Sequence, residues 1–209
     1  GTDHAYLPAW LAERSRIKKA VAGDICEGPC AAARSTVAMY GLNDKIEVRM
    51  GNGLAIIRPG ETDVIIIAGM GAGTMIEILE AGVETARAAS QLILQPMAGA
   101  PSLRRWANAH GWYIADEVLV EEGRHLYEII VLKRGHEAAV STIAYEIGPR
   151  LLEQRPPLFQ KHLAKICGQY QKMLLNMQRS AAAKQSGKYQ EIQALVQELE
   201  GLDDGGYGK

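Results

Sequence analysis

Five short clusters in this 209-residue chain carry residue types that could hold a nucleotide and bring a reacting group against it. Gly1-Thr2-Asp3-His4-Ala5-Tyr6-Leu7-Pro8 reads as a glycine turn feeding a helix, with Asp3 placed to hold a polar ligand. An ordinary helix N-cap accounts for the same residues equally well. Asp24 ends the first apolar run, about twenty residues beyond that turn, where a nucleotide-binding sheet grips ribose hydroxyls; a solvent-facing strand end is the bland alternative. Gly51-Asn52-Gly53-Leu54 ends the next run, and its side-chain amide could meet a base edge, although Asn-Gly is also a common turn dipeptide. The sharpest cluster is Ile67-Ala68-Gly69-Met70-Gly71-Ala72-Gly73, which leaves an apolar run and enters a helix. Ligands of open α/β sheets sit outside the carboxyl ends of strands, where small residues let the backbone approach them; close helix-strand packing is the competing use. Gln95-Pro96 ends the following run at the same edge, where a polar Gln could orient a base.

These clusters need a sheet to present them. Val- and Ile-rich runs alternate with helical patterns, which predicts a doubly wound α/β fold. Strands are expected at Ala20 to Ile25, Ile46 to Met50, Asp63 to Gly69, Gln91 to Gln95, Trp112 to Glu121 and Tyr127 to Lys133. Helices are expected at Leu7 to Ser15, Pro29 to Tyr40, Thr74 to Thr85 and Pro101 to His110, with Gly41, Gly82 and Gly111 as left-handed C-caps. Val64-Ile65-Ile66-Ile67 is apolar at every position, which predicts a central strand buried on both faces. The Glu122-Gly123-Arg124 link is too short for a parallel crossover, so the last two strands should form an antiparallel hairpin. Beyond Pro149, Pro156 and Pro157 a 3-4 rhythm takes over: Leu163, Ile166 or Cys167, Tyr170, Leu174, Met177, then Tyr189, Ile192, Val196 and Leu199 after Ser186-Gly187. That is the seam of a helical hairpin, and the last residues, from Asp203 to Lys209, are expected to be a loose tail.

With 47% hydrophobic and 22% charged residues and no long apolar run, the chain reads as soluble and cytoplasmic, with no membrane partner. Cys26 and Cys30 lie near no second pair at zinc spacing, so they read as buried or half-buried thiols and neither a disulfide nor a metal is expected. The net charge of −1 conceals a segregation: between Gln154 and Gln190 stand Arg155, Lys161, Lys165, Lys172, Arg179, Lys184 and Lys188, without one Asp or Glu. With 24 acids in 209 residues, about four would fall in such a stretch by chance, so this is a local basic patch.

Asp3-His4-Ala5-Tyr6-Leu7-Pro8, Ala22-Gly23-Asp24 with Gly28-Pro29, Ile67-Ala68-Gly69-Met70-Gly71, Ile78-Leu79-Glu80-Ala81-Gly82 and Leu92-Ile93-Leu94-Gln95-Pro96 resemble, in order and spacing, the motifs of the bacterial tRNA (adenine-22-N1)-methyltransferase family. The resemblance covers Gly1 to about Lys133 closely and the helical remainder loosely. It implies a Rossmann-like class I methyltransferase sheet with a C-terminal helical hairpin, S-adenosyl-L-methionine as cofactor and tRNA as partner. By resemblance Gly1, Asp3 and His4 border the methionine portion of the cofactor, Asp24 the ribose, Asn52 and Gly53 the adenine, and Ala68, Gly69 and Met70 the reaction pocket; Gly71 and Gln95 complete the expected catalytic set. Asn52 stands where the family usually has Asp, Ala72 replaces a usual Gly, and Met97 replaces the usual Asn after Gln-Pro. Members of the family begin earlier, with a helix and the first strand of the sheet, so the chain is expected to be truncated at its start. The expected organisation is a methyltransferase domain at residues 1–135, a coiled-coil-like helical region at 149–200 and a flexible tail at 201–209.

Adenine N1 carries an in-plane lone pair and can attack a sulfonium methyl without losing a proton, so no catalytic base, triad or metal is required, only alignment and a polar pocket. N1 lies on the Watson-Crick edge, so the base must be unpaired, and an RNA grip outside the pocket is needed. At about 100° per residue, Lys161, Lys165, Lys172 and Arg179 fall within roughly 40° of one another, opposite Leu163, Ile166, Tyr170, Leu174 and Met177. They are the expected RNA-binding residues; a merely solvated helix face is the alternative reading. A small-molecule methyltransferase and a non-catalytic RNA-binding remnant compete with the tRNA reading. An NAD-dependent oxidoreductase fits worse, since no complete Gly-x-Gly-x-x-Gly follows a strand.

Overall fold

The chain folds as alternating strands and helices in a computed structural model that describes residues 1–138 and 140–203. The sheet region comprises α1 (Tyr6–Glu13), β1 (Ala20–Asp24), α2 (Glu27–Met39), β2 (Ile46–Met50), a 3-10 turn (Gly53–Ile56), β3 (Val64–Gly71), α3 (Ala72–Ala81), α4 (Val83–Ala88), β4 (Gln91–Ala98), α5 (Ala100–Ala109), β5 (Trp112–Glu122) and β6 (His125–Arg134). The helical region follows with α6 (Thr142–Ile147), α7 (Pro149–Gln154), α8 (Phe159–Met177), α9 (Ala181–Lys184) and α10 (Gly187–Asp203).

β1 and β2 pair in parallel. A second sheet runs in the order β3-β4-β6-β5, with β3 and β4 parallel and β6 antiparallel to both its neighbours. The short link between β5 and β6 makes the hairpin expected from the sequence, and β6 inserts between β4 and β5. Met75, Leu79 and Leu103 from α3 and α5 pack on Ile65, Ile67, Leu92, Leu94, Ile130 and Leu132 to form the main core. Ala9 and Ala12 of α1 and Ala33 and Val37 of α2 cover Ala22 and Ile46 in a second cluster. The two sheets meet through the 3-10 turn, where Gly82 lies so close to Leu54 that an added Cβ would fall 2.5 Å from the leucine Cβ.

Four expectations need correction. β3 is an edge strand: Ile65 and Ile67 are buried, but Val64 and Ile66 are each 41% exposed, because among the described residues only β4 pairs with it and no element covers its second face. The expected helix from Thr74 to Thr85 is two helices, broken at Gly82, whose φ of −112° is not left-handed. Gly82 serves close packing against Leu54, whereas Gly41 and Gly111 do adopt positive φ. Cys26 is exposed, at the N-terminus of α2, while Cys30 is buried. The last helix continues through residues 201–203, where the sequence predicts a tail; residues 204–209 lie outside the described residues.

α8 and α10 form the helical hairpin, with Leu163, Ile166, Ile192, Val196 and Leu199 buried at the predicted rhythm. This pair rests on the outer end of the β5-β6 hairpin, where Leu119 and Leu126 pack against Ile147, Leu151, Phe159 and Leu163. No described helix is long and apolar enough to cross a membrane.

Candidate active site

Four of the five clusters lie at the carboxyl ends of β1, β2, β3 and β4, and the first, Gly1 to Pro8, leads into α1. Thr2 donates its N–H to the Gly23 carbonyl at 2.7 Å, which lays the first residues along the end of β1. Asp3, with φ +52°, turns its N–H to Oδ2 of Asp24 at 3.4 Å, and the Cys26 N–H reaches Oδ1 at 3.1 Å. Gly1 sits so close that a Cβ there would fall 1.9 Å from Oδ2. Burial pushes the Asp24 carboxyl up, but hydrogen bonds from the N–H groups of Cys26, Asp3 and Ile25 hold it below the ordinary carboxylate value. The result is an ionised carboxylate fixed by backbone amides, with lone pairs left on both oxygens. Such a group fits a ribose diol, and the glycine beside it leaves room for a ligand.

Asn52 is exposed at the start of the 3-10 turn, and Gly53 adopts φ +53° against Ile78 of α3. His4 is exposed and stacks on Tyr6 with ring centroids 5.3 Å apart. At the end of β3 the pairing with β4 slips between Ala68 and Met70, so Gly69 is a bulge residue, and its φ of +76° requires glycine. Its N–H, lost to the ladder, goes to Oε1 of Gln95 at 2.9 Å, and the Gln95 Nε2 group contacts the Met97 sulfur at 3.6 Å. Ala68 and Gly71 are exposed and Met70 is half-buried. Beside the bulge opens a cavity of about 400 Å³ lined by Gly69, Gln95, Met97, Val120, Glu122, Tyr127 and Ile129. Among the described residues no group of three or more His, Cys, Asp or Glu is placed to hold a metal ion.

A Gly69→Ala substitution should cost roughly 1–2 kcal/mol, because an L-residue is strained at this φ. Chemical denaturation measures the loss; an unchanged midpoint would show that the bulge relaxes freely.

An amide-held carboxylate thus stands at the end of β1, and an open depression lies beside the bulge that ends β3. The family model described as TrmK, tRNA (adenine(22)-N(1))-methyltransferase, matches residues 1–201. The chain belongs to this family. The tRNA (adenine(22)-N(1))-methyltransferase of Bacillus subtilis is 34% identical over 98% of this chain and 87% of its own length. The crystal structure of the B. subtilis m1A22 tRNA methyltransferase TrmK superposes with a TM-score of 0.87 at 32% identity, covering 98% of this chain and 90% of that one. Sp1610 of Streptococcus pneumoniae, solved in complex with S-adenosyl-L-methionine, gives a TM-score of 0.81 at 34% identity over 97% of this chain and 89% of its own.

In this TrmK family member the basic residues of the C-terminal region are not all alike. Lys161 forms an ion pair with Glu121, and Lys165 donates to the Leu126 carbonyl at 3.0 Å, so both hold the hairpin tip. Lys172 is exposed on α8, and Arg179 lies exposed just beyond the end of that helix. The four do not form one continuous free helix face, because the first two meet the hairpin that α8 packs on.

A buried ionic cluster, not foreseen from the sequence, joins the sheet to the helical region. Arg104 of α5 is fully buried and bonds Glu117 at 2.7 Å, Glu128 at 2.6 Å and the Tyr145 carbonyl at 3.0 Å. Glu117 also accepts from the Arg150 N–H at 2.9 Å, so the carboxylate meets the first turn of α7 while the guanidinium meets the last turn of α6. Each charge faces the helix end of opposite polarity. Burial alone would lower the Arg104 pKa, but Glu117 and Glu128 hold it above its ordinary value. Gly148, at φ +110°, passes so near that a Cβ would lie 2.8 Å from Arg104 Nη2.

His162 of α8 is fully buried beside this cluster, its Nε2 placed 2.8 Å from the Ile147 carbonyl and its Nδ1 without a partner. Burial depresses its pKa below 6.5, against the opposing pull of Glu128 and the Ile147 carbonyl, while Arg104 and Lys165 add to the depression. The unfolded chain therefore binds a proton at a pH where the folded one does not. The stability is fully present above about pH 6.5 and is lost as the pH falls below that value. Thermal melting should drop between pH 7 and 5, and less steeply in His162→Gln; equal slopes in both would show that His162 is not the group responsible.

Proposed function

We propose that this chain transfers the methyl group of S-adenosylmethionine to N1 of adenine 22 in tRNA, in the cytoplasm. The observation that carries the reading is an amide-held Asp24 carboxylate at the carboxyl end of β1, with an open Gly69 bulge at the carboxyl end of β3, in a chain that matches the family over residues 1–201. Asp24 holds the ribose hydroxyls, Gly1, Asp3 and His4 border the amino-acid portion, Asn52 and Gly53 border the adenine, and Ala68, Gly69, Met70 and Gly71 wall the reacting centre. Bound S-adenosylmethionine supplies an electrophilic methyl group: the N1 lone pair forms the new N–C bond as the S–C bond breaks, its electron pair stays on sulfur, and the positive charge passes to the adenine. No proton leaves in that step, so the chain's work is alignment and charge stabilisation. Gln95 serves by holding the bulge through the Gly69 N–H.

Labelled methyl transfer tests the proposal. Product should form on tRNA and vanish when adenine 22 is replaced by guanine; product on a small molecule, or tRNA binding without transfer, would overturn it. Lys172 and Arg179, whose side chains make no ion pair or hydrogen bond among the described residues, supply the RNA grip in this reading, with Lys161 and Lys165 held beside them on the hairpin tip, and the unpaired two allow a clean test. Lys172→Gln with Arg179→Gln should weaken tRNA binding and reduce its log-log salt slope by about 0.7–0.9 for each phosphate no longer neutralised, with S-adenosylmethionine affinity unchanged. An unaltered slope would place the grip elsewhere.

A further inference from the structure

The cavity beside Gly69 has a wall that none of the sequence motifs contains. Val120 and Glu122 of β5 and Tyr127 and Ile129 of β6 face it, although they lie far along the chain from the bulge. Strand pairing brings them there: Leu94 lies opposite Ile130, and Val120 opposite Tyr127. The hairpin therefore has two faces. Leu119 and Leu126 point toward α8, while Glu122 and Tyr127 point into the cavity.

Gln95 is partly committed to the bulge, its carbonyl oxygen accepting from the Gly69 N–H and its amide nitrogen lying on the Met97 sulfur. The polar groups that remain are the Glu122 carboxylate and the Tyr127 ring. Neighbouring acids are already paired, Glu121 with Lys161 and Glu128 with Arg104. Among the described residues the Glu122 side chain has no hydrogen bond or ion pair, and the Tyr127 side chain has only a tilted ring contact with His125 at 6.0 Å. An uncompensated carboxylate repels a polyanionic substrate, so its place in the cavity makes physical sense if the occupant becomes a cation.

We propose that Tyr127 and Glu122 form the outer wall of the acceptor-base site, Tyr127 stacking on the adenine and Glu122 accepting from its 6-amino group and stabilising the charge that the ring acquires. This rests on the methyl-transfer reading given above. The site is a depression open to solvent, and its volume of about 400 Å³ leaves space for a base between the bulge and the hairpin. A stacked aromatic ring favours a cationic base over a neutral one, and a carboxylate at its edge adds to that preference.

The test has two arms. By NMR titration, 1-methyladenosine, a cation at neutral pH, should bind the parent chain several-fold more tightly than adenosine. Glu122→Gln should erase that preference, and Tyr127→Ala should weaken both nucleosides by on the order of tenfold, Tyr127→Phe less. In single-turnover methylation of tRNA, Glu122→Gln should slow transfer by about 10- to 100-fold with S-adenosylmethionine affinity unchanged. No preference for the cation in the parent, or a preference that survives in Glu122→Gln, overturns the inference. A parent chain that prefers the cation yet transfers no methyl to tRNA would leave the pocket assignment standing and defeat the proposed reaction instead.

Discussion

Replacing Arg104 with Ala should lower the unfolding free energy by about 3–5 kcal/mol, the range found when one partner of a buried ion pair is removed. The size follows from what is left behind. The Glu117 side chain is 1% exposed and that of Glu128 17%, and neither can turn to water without opening the packing of α5, α6 and the hairpin. The last-turn carbonyls of α6, including that of Tyr145 at 3.0 Å, lose their donor at the same time. Arg104→Met with Glu117→Met should recover part of the loss, because an apolar pair of similar volume leaves no uncompensated charge on Glu117. Hydrogen exchange in the parent and Arg104→Ala should differ most in α6, α7 and the start of α8, the elements that the cluster fastens to the sheet. A loss under about 1 kcal/mol by denaturant titration would mean that water or rearrangement replaces the guanidinium at little cost.

Asp24→Ala should weaken S-adenosylmethionine binding by about 1.5–3 kcal/mol, roughly ten- to a hundredfold, as the loss of hydrogen bonds to a charged acceptor implies. The Asp3 and Cys26 N–H groups that now hold the carboxylate would be left to water, which costs little at so open a site. The fold and tRNA binding should therefore persist, and Asp24→Asn should fall between parent and Ala because it keeps one acceptor oxygen. Calorimetry showing equal affinity in parent and Asp24→Ala would remove Asp24 from the ribose.

The clusters at the strand ends were legible in the residue order because they depend on local chemistry where a strand stops. Asp24, Asn52, Gly53 and Gly69 each close or follow a strand within a few residues of a glycine, and the structure places them at the carboxyl ends of β1, β2 and β3. The strand pattern itself came from β-branched runs of the right length, and the α8-α10 seam from its 3-4 rhythm, both properties of neighbours in sequence. Recognition of the family rests on the same motifs.

What remained hidden depends on partners distant along the chain. Nothing in Val64-Ile65-Ile66-Ile67 says whether both of its faces are covered; that depends on which elements lie over them, and here only Ile65 and Ile67 are buried. Helix periodicity put Lys161 and Lys165 on a basic face, but only docking on the hairpin shows that they meet Glu121 and the Leu126 carbonyl. Arg104 and His162 stand next to Arg105 and Lys161, so nothing in the local sequence marks them as buried. Glu117 meets Arg104 when α5 packs on β5, Tyr145 when α6 docks on α5, and Ile147 meets His162 when α8 docks on α6. Glu122 and Tyr127 reach the Gly69 cavity by β4-β6 pairing, across some fifty residues of chain. Sequence alone determined the elements and the residues that terminate them, because propensity and periodicity act over a few residues. The register between strands and the docking of helices decided which charges are buried and which groups face the substrate, because those energies arise between segments that sequence proximity does not relate.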